Sequence, residues 1–192
     1  MMMSRCPKLP QLLTLLSSVS IALLLSPAAA HAQQEYSMFS AYAGYTTGGD
    51  TTTAGATFGF STAYIYESNW GAELDVSHST KFNDAYEATG LTTAMINIVA
   101  IPRVSRWAHP YVSFGGGLIR ARGCAAQCVT EFSRTDFGLD AAGGVVVPVN
   151  DIFGARADVR YFRYGSVHRD LPRLDNGAFD FWRVTFGGVV TW

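Results

Sequence analysis

The sequence predicts an all-β protein, an eight-stranded antiparallel up-and-down β-barrel that crosses a membrane. Three observations predict it. The last strand alternates between two faces and carries Trp at both ends of one of them. Seven further segments have strand character, most with the same two-residue period. The connections between them are alternately long and short. In the last strand, Trp182, Val184, Phe186, Gly188, Val190 and Trp192 form one face, while Arg183, Thr185, Gly187, Val189 and Thr191 form the other. The ten-residue separation of the two Trp is about 33 Å of strand, or roughly 25 Å along the membrane normal at a ~40° tilt. A transmembrane barrel has an apolar band of that height, rimmed by aromatic residues.

Residues 1–32 read as a secretory signal. Arg5 and Lys8 supply a basic start, Leu12 to Leu25 an apolar run, and Ala30-His31-Ala32 a small-residue cleavage pattern. The competing reading is an uncleaved anchor, but an apolar run of about fourteen residues is short of the ~20 that a helical span needs. The remaining chain, 33–192, suffices for one barrel domain. Cys6 falls inside the signal without the small-residue context of a lipoprotein cysteine.

The first strand, Tyr36 to Tyr45, has β propensity and bounding turns, but its parity leaves the outward face open. Ala56 to Tyr66 sets Phe58, Phe60, Tyr64 and Tyr66 against Gly59, Ser61 and Ala63. Trp70 to His78 sets Trp70, Ala72, Leu74 and Val76 against Gly71, Glu73, Asp75 and Ser77. Leu91 to Ile101 sets Ala94, Ile96, Ile98 and Ala100 against Thr93, Met95, Asn97 and Val99. Tyr111 to Arg122 contains Gly115-Gly116-Gly117, where a bulge or a register change is expected. Phe137 to Val147 sets Phe137, Leu139, Ala141, Val145 and Val147 against Gly138, Asp140, Ala142 and Gly144. Ile152 to Tyr164 sets Phe153, Ala155, Ala157, Val159 and Tyr161 against Arg156, Asp158 and Arg160. Alternation sustained over nine or more residues is a strand signal.

Thr46 to Ala54, Ser79 to Gly90, Gly123 to Thr135 and Gly165 to Ala178 read as long polar loops, and the intervening connections as shorter turns. Long loops outside and short turns in the periplasm, with an even strand number, are the arrangement of bacterial barrels. A soluble sandwich or lipocalin-like barrel would also alternate. Its solvated face would then be the one rich in Gly, Ser and Ala, and after residue 32 the chain retains a single Lys, Lys81. Ordinary soluble surfaces carry far more Lys and Glu, so the membrane barrel is favoured.

The chain resembles the small eight-stranded outer-membrane barrels of the OmpA-type and opacity-type family. The resemblance rests on Ala30-His31-Ala32, Trp70-Gly-Ala-Glu-Leu-Asp75, Pro110-Tyr-Val, Arg156-Ala-Asp-Val-Arg160 and the aromatic C-terminus. It implies residence in the bacterial outer membrane after cleavage near Ala32, with outer-membrane lipid as surroundings. It also implies recognition of the last strand by the barrel insertion machinery, which gives Phe186 and Trp192 a role in assembly beside the girdle role of Trp182 and Trp192. OmpA-type proteins often append a peptidoglycan-binding domain; with the chain stopping at Trp192, such anchoring is not implied.

The polar constellation with a physical rationale is the inward face. Charges removed from water need partners, so Glu73, Asp75, Asp140 and Asp158 are expected to pair with Arg156, Arg160 and Arg183 in a network that plugs the lumen. A narrow channel or a proton-handling site is the alternative. Cys124 and Cys128 are expected to form a small-loop disulfide in an oxidising compartment. Free thiols or a metal pair rank lower, since no His or further Cys lies nearby. Lipid A-modifying or phospholipase barrels need His and Ser poised together. In Ser77-His78-Ser79 the adjacent residues point to opposite faces of a strand, and His109 and His168 fall in connections, so no catalytic residue and no cofactor is expected. Net charge is −1 and no polybasic patch marks a nucleic-acid partner. The expectation is a monomeric, non-enzymatic barrel whose external loops, with Phe82, Tyr86, Phe132 and Arg169 as contact candidates, meet an unidentified surface ligand.

Overall fold

Period-2 alternation gives each segment one apolar and one polar face, and a closed sheet is the way to hide the polar one inside a bilayer. The computed structural model describes residues 35–66, 69–81, 88–102, 107–125, 130–165 and 179–192. Among them, eight strands follow in chain order: β1 (Tyr36–Thr47), β2 (Gly55–Ile65), β3 (Trp70–Ser79), β4 (Ala88–Ala100), β5 (His109–Ala125), β6 (Thr130–Pro148), β7 (Phe153–Tyr164) and β8 (Phe179–Thr191). Each pairs antiparallel with the next, and β8 pairs back onto β1 to close the barrel. The base of that seam is tied by the Ser37 amide to the Trp192 carbonyl (2.9 Å) and the Trp192 amide to the Ser37 carbonyl (3.0 Å).

One row of partners runs from Tyr36 through Ile65, Gly71, Val99, Ser113, Ala142, Arg160 and Arg183, and returns to β1 at Thr46, a stagger of ten residues. Stagger and strand number together set the tilt, about 40° for this pairing. The tilt matches strands of eleven to thirteen residues, such as β1, β2, β7 and β8, to the thickness of an apolar band.

The outward row carries Phe58, Phe60, Leu74, Ile96, Ile98, Phe114, Leu139, Val159, Val184 and Phe186, all exposed large apolar side chains. Tyr66, Trp70, Phe153 and Trp192 stand exposed at the end where β1 begins and β8 finishes (the terminus end of the barrel), and Tyr45 and Trp182 at the other. A face of this composition is unfavourable in water and suited to lipid. The first strand also acquires a direction: Met38, Ser40, Tyr42 and Thr46 are buried, so its even positions point inward. Parity alone could not decide this, because Tyr residues stand on both faces; register with β2 and β8 does.

Three expectations are corrected. The glycine run in β5 makes neither a bulge nor a register change, since pairing with β4 and β6 is unbroken through Gly115, Gly116 and Gly117. The inward two are small for a steric reason: a Cβ on Gly115 would lie 2.0 Å from the Asn97 side-chain amide and one on Gly117 2.0 Å from the Ala94 carbonyl. The second correction concerns Gly123 to Thr135, read as a loop. β5 and β6 continue as a paired hairpin up to Ala125↔Thr130, so the segment is largely strand that outruns the apolar band. His109, read as part of a connection, opens β5 opposite Val146.

Asn69 adopts φ 63°, a left-handed conformation that Asn tolerates better than most residues. At the terminus end the β6–β7 turn is compact. Asn150 Oδ1 accepts from the Ile152 and Phe153 amides at 2.9 and 2.7 Å, which reverses the chain between β6 and β7.

Candidate functional site: the charged lumen

Strand parity delivers the charges to the interior from four strands. Glu73 and Asp75 come from β3, Asp140 from β6, Arg156, Asp158 and Arg160 from β7, and Arg183 from β8, and all seven are buried. Arg160 and Arg183 are direct register partners on adjacent strands. Like charges placed opposite one another repel, and this pair is offset by carboxylates that reach it from β3 and β6.

Arg160 is the hub. Its Nη2 donates to Glu73 Oε2 at 2.8 Å and its Nη1 to Asp140 Oδ2 at 2.9 Å. Asp158 Oδ1 lies 3.6 Å from its Nε and Asp75 Oδ1 4.0 Å from its Nη1. With its amide oriented to suit these neighbours, Asn97 donates to Asp140 Oδ1 at 2.7 Å and accepts from Arg160 Nη1 at 2.5 Å. Arg156 meets Glu73 Oε1 at 2.7 Å and Asp158 Oδ2 at 3.4 Å, and donates from Nη1 to Ser61 Oγ at 3.0 Å and from Nε to the Tyr111 hydroxyl at 2.6 Å. The Tyr111 hydroxyl in turn donates to Asp158.

Arg183 forms a two-pronged pair with Asp75, at 2.9 Å (Nη1 to Oδ1) and 3.0 Å (Nη2 to Oδ2), and also reaches Ser77 Oγ at 2.6 Å. Tyr42 donates to Asp75 Oδ2 at 2.7 Å, and the Arg183 guanidinium stands over the Tyr42 and Phe162 rings at 5.0 and 5.1 Å. The seven charged side chains thus form one connected network, the geometry in which charges out of water are tolerated.

Two features of the lumen escaped the sequence reading. The charged layer is sandwiched between apolar ones. Met38, Ile65, Val99, Ile101, Tyr111, Val146 and Val189 cluster at the terminus end, and Leu91, Met95, Ile119, Phe162 and Phe181 at the other. Phe162 and Phe181 stack with centroids 4.6 Å apart. The signal was present: these residues sit at inward parity, where a purely polar interior would not place them. Near the same end, Thr46, Thr57 and Ser79 hydroxyls meet one another at 2.7–2.8 Å.

The remaining candidates separate. Trp182, Phe186 and Trp192 face outward; Trp182 and Trp192 stand at opposite rims and Phe186 lies between them. In Ser77-His78-Ser79, His78 faces outward and bonds Thr92 Oγ1 at 2.9 Å, while Ser77 and Ser79 are buried within. Ser77 is taken up by Thr93 and Arg183. Residues 1–32, Phe82, Tyr86, Cys128, His168 and Arg169 lie outside the described residues, as do the side chains of Cys124 and Phe132, and with them the disulfide.

The architecture is shared with solved outer-membrane proteins. The chain is similar to Neisserial surface protein A, with 16% identity and TM-score 0.61 over 81% of this chain and 96% of that one. It is similar to OprG of Pseudomonas aeruginosa, with 13% identity and TM-score 0.61 over 84% and 97%. It is also similar to Ail, the attachment invasion locus protein of Yersinia pestis, with 14% identity and TM-score 0.57 over 83% and 99%. At these identities the likeness is one of fold. No curated protein matches the sequence. The family model for the outer membrane protein beta-barrel domain matches residues 18–187, nearly the whole chain, and the protein belongs to that family of bacterial outer-membrane barrels.

Proposed function

We propose that the protein is a non-enzymatic, non-conducting barrel of the outer membrane, with a structural role and surface contacts made through its external connections. The carrying observation is the filled lumen: Arg160, held between Glu73 and Asp140, lies between two apolar layers. An eight-stranded barrel is about as wide as its own side chains can fill. The test is conductance in planar bilayers. Purified protein is expected to give no steady unitary currents, and their reproducible appearance would overturn the reading.

The non-enzymatic part is supported by the outward His78 and the inward Ser77 and Ser79, which the strand holds on opposite sides of the wall. Lipid A from cells with and without the protein is expected to show the same acyl pattern. The surface role is supported by the β5–β6 hairpin, paired beyond the apolar band as a stiff projection, and by the names of two proteins of like fold, a surface protein and an attachment protein. Monomeric insertion, aided by recognition of β8 with Phe186 and Trp192 at its outward positions, belongs to the same proposal.

A further inference from the structure

The outward row of β5 changes character along its length. Val112, Phe114 and Leu118 are exposed apolar residues; the next two outward positions are Arg120 and Arg122, both exposed. Successive outward positions are about 7 Å apart along a strand. The two guanidinium groups therefore begin where the apolar wall ends, at the rim remote from the termini, which in bacterial barrels faces the outer leaflet. Leu118 and Phe137, both exposed, form the apolar floor beneath them.

The neighbouring outward positions are uncharged where their side chains are described. Arg120 is flanked by Thr92 on β4 and Thr135 on β6, and Arg122 by Gly90 and Ser133. Arg120 spends only its Nε, on Ser133 Oγ at 3.1 Å, and among the described residues no carboxylate pairs with either arginine. Arg134 of β6, by contrast, meets Asp136 at 2.6 Å, Arg156 and Arg160 of β7 are locked in the lumen, and the exposed Arg163 of β7 stands opposite Asp180 in the β8 register. Glu131, two residues before Ser133 on β6, pairs with Cys124 in the register.

Two guanidinium groups with no carboxylate partner among the described residues, set above an apolar floor, match an amphiphile with an anionic head and acyl chains. Guanidinium forks bind phosphate oxygens in pairs. We propose that the β4–β5–β6 outer face is a binding site for a phosphate group of the outer-leaflet glycolipid, with Arg120 and Arg122 as the clamp and Leu118 and Phe137 packing against its acyl chains. The site deepens the structural role proposed above. It is independent of whether the lumen conducts, so the two can fail separately.

Native mass spectrometry of the full chain, extracted from membranes and exchanged into mild detergent with added bisphosphorylated lipid A, tests it. Wild-type barrels are expected to carry lipid A. R120Q/R122Q is expected to lose roughly thirtyfold in affinity, for the two basic residues at an anionic lipid surface together. R134Q, whose arginine is already paired, is expected to bind as wild type. Heat-modifiable migration confirms that each variant is folded. Equal lipid A occupancy in wild type and R120Q/R122Q would overturn the site, and so would equal loss in R134Q. Dephosphorylated lipid A binding as well as the bisphosphorylated form would overturn the phosphate assignment. Inorganic phosphate displacing the lipid at millimolar concentration would overturn the glycolipid as its source.

Discussion

Arg183 and Asp75 lie 108 residues apart in sequence and meet across the lumen in a two-pronged ion pair, with both N–O distances within 3.0 Å. The pair joins β8, the strand that closes the barrel, to β3 on the facing wall. Asp75 also accepts from Tyr42 on β1, so one carboxylate links both sides of the closing seam.

Removing one partner leaves the other charge buried and unpaired, which typically costs ~3–5 kcal/mol. Asp75→Ala and Arg183→Met are each expected to lower the urea midpoint of the lipid-reconstituted barrel by a corresponding amount. The double variant is expected to lose less than the sum of the two. Equilibrium unfolding of all four forms of the cycle measures this coupling, and strict additivity would argue against the pair.

A second prediction concerns the outer wall. Ile96 is 69% exposed in the bare chain, and on a water-facing surface Ile96→Arg would change stability by a few tenths of a kcal/mol. Near the middle of a lipid-facing strand it is expected to cost ~2–4 kcal/mol. Unfolding free energies in phospholipid bilayers decide the matter, and a neutral substitution would contradict a lipid-facing wall.

Glycines on the two faces should respond differently to an added methyl. Gly115→Ala would place Cβ 2.0 Å from the Asn97 side-chain amide and 2.1 Å from the Ile96 carbonyl. Gly143→Ala meets nothing nearer than the Tyr111 carbonyl at 3.9 Å. The first is expected to lower refolding yield and to cost ~1–3 kcal/mol by overpacking; the second is expected to be neutral or slightly stabilising. Heat-modifiable migration during refolding, compared for the two variants, checks the contrast.

What parity could and could not convey is clearest in β5. The sequence assigns Tyr111 to Arg122 no outward row, because its glycines read as an interruption; the structure turns Val112, Phe114 and Leu118 outward. The purpose of the glycines is visible only with β4 alongside, because Gly115 and Gly117 make room for the neighbouring strand's Asn97 and backbone. The apolar layers above and below the charges were obscured for a related reason. Ile65, Val99 and Phe181 sit at inward parity on strands far apart in sequence, and they become layers only when the stagger brings them to similar heights.

The sequence by itself determined the strand periodicity of most segments, the inward parity of Glu73, Asp75, Asp140, Arg156, Asp158, Arg160 and Arg183, and the outward Trp182 and Trp192. Side-chain direction alternates locally, and polarity then decides which face meets lipid. The tertiary structure alone decided which acid meets which arginine, which way β1 faces, and that Arg160 and Arg183 stand side by side. Those facts depend on the ten-residue stagger with which the sheet closes. Stagger is a property of all eight pairings together, so no single strand encodes it.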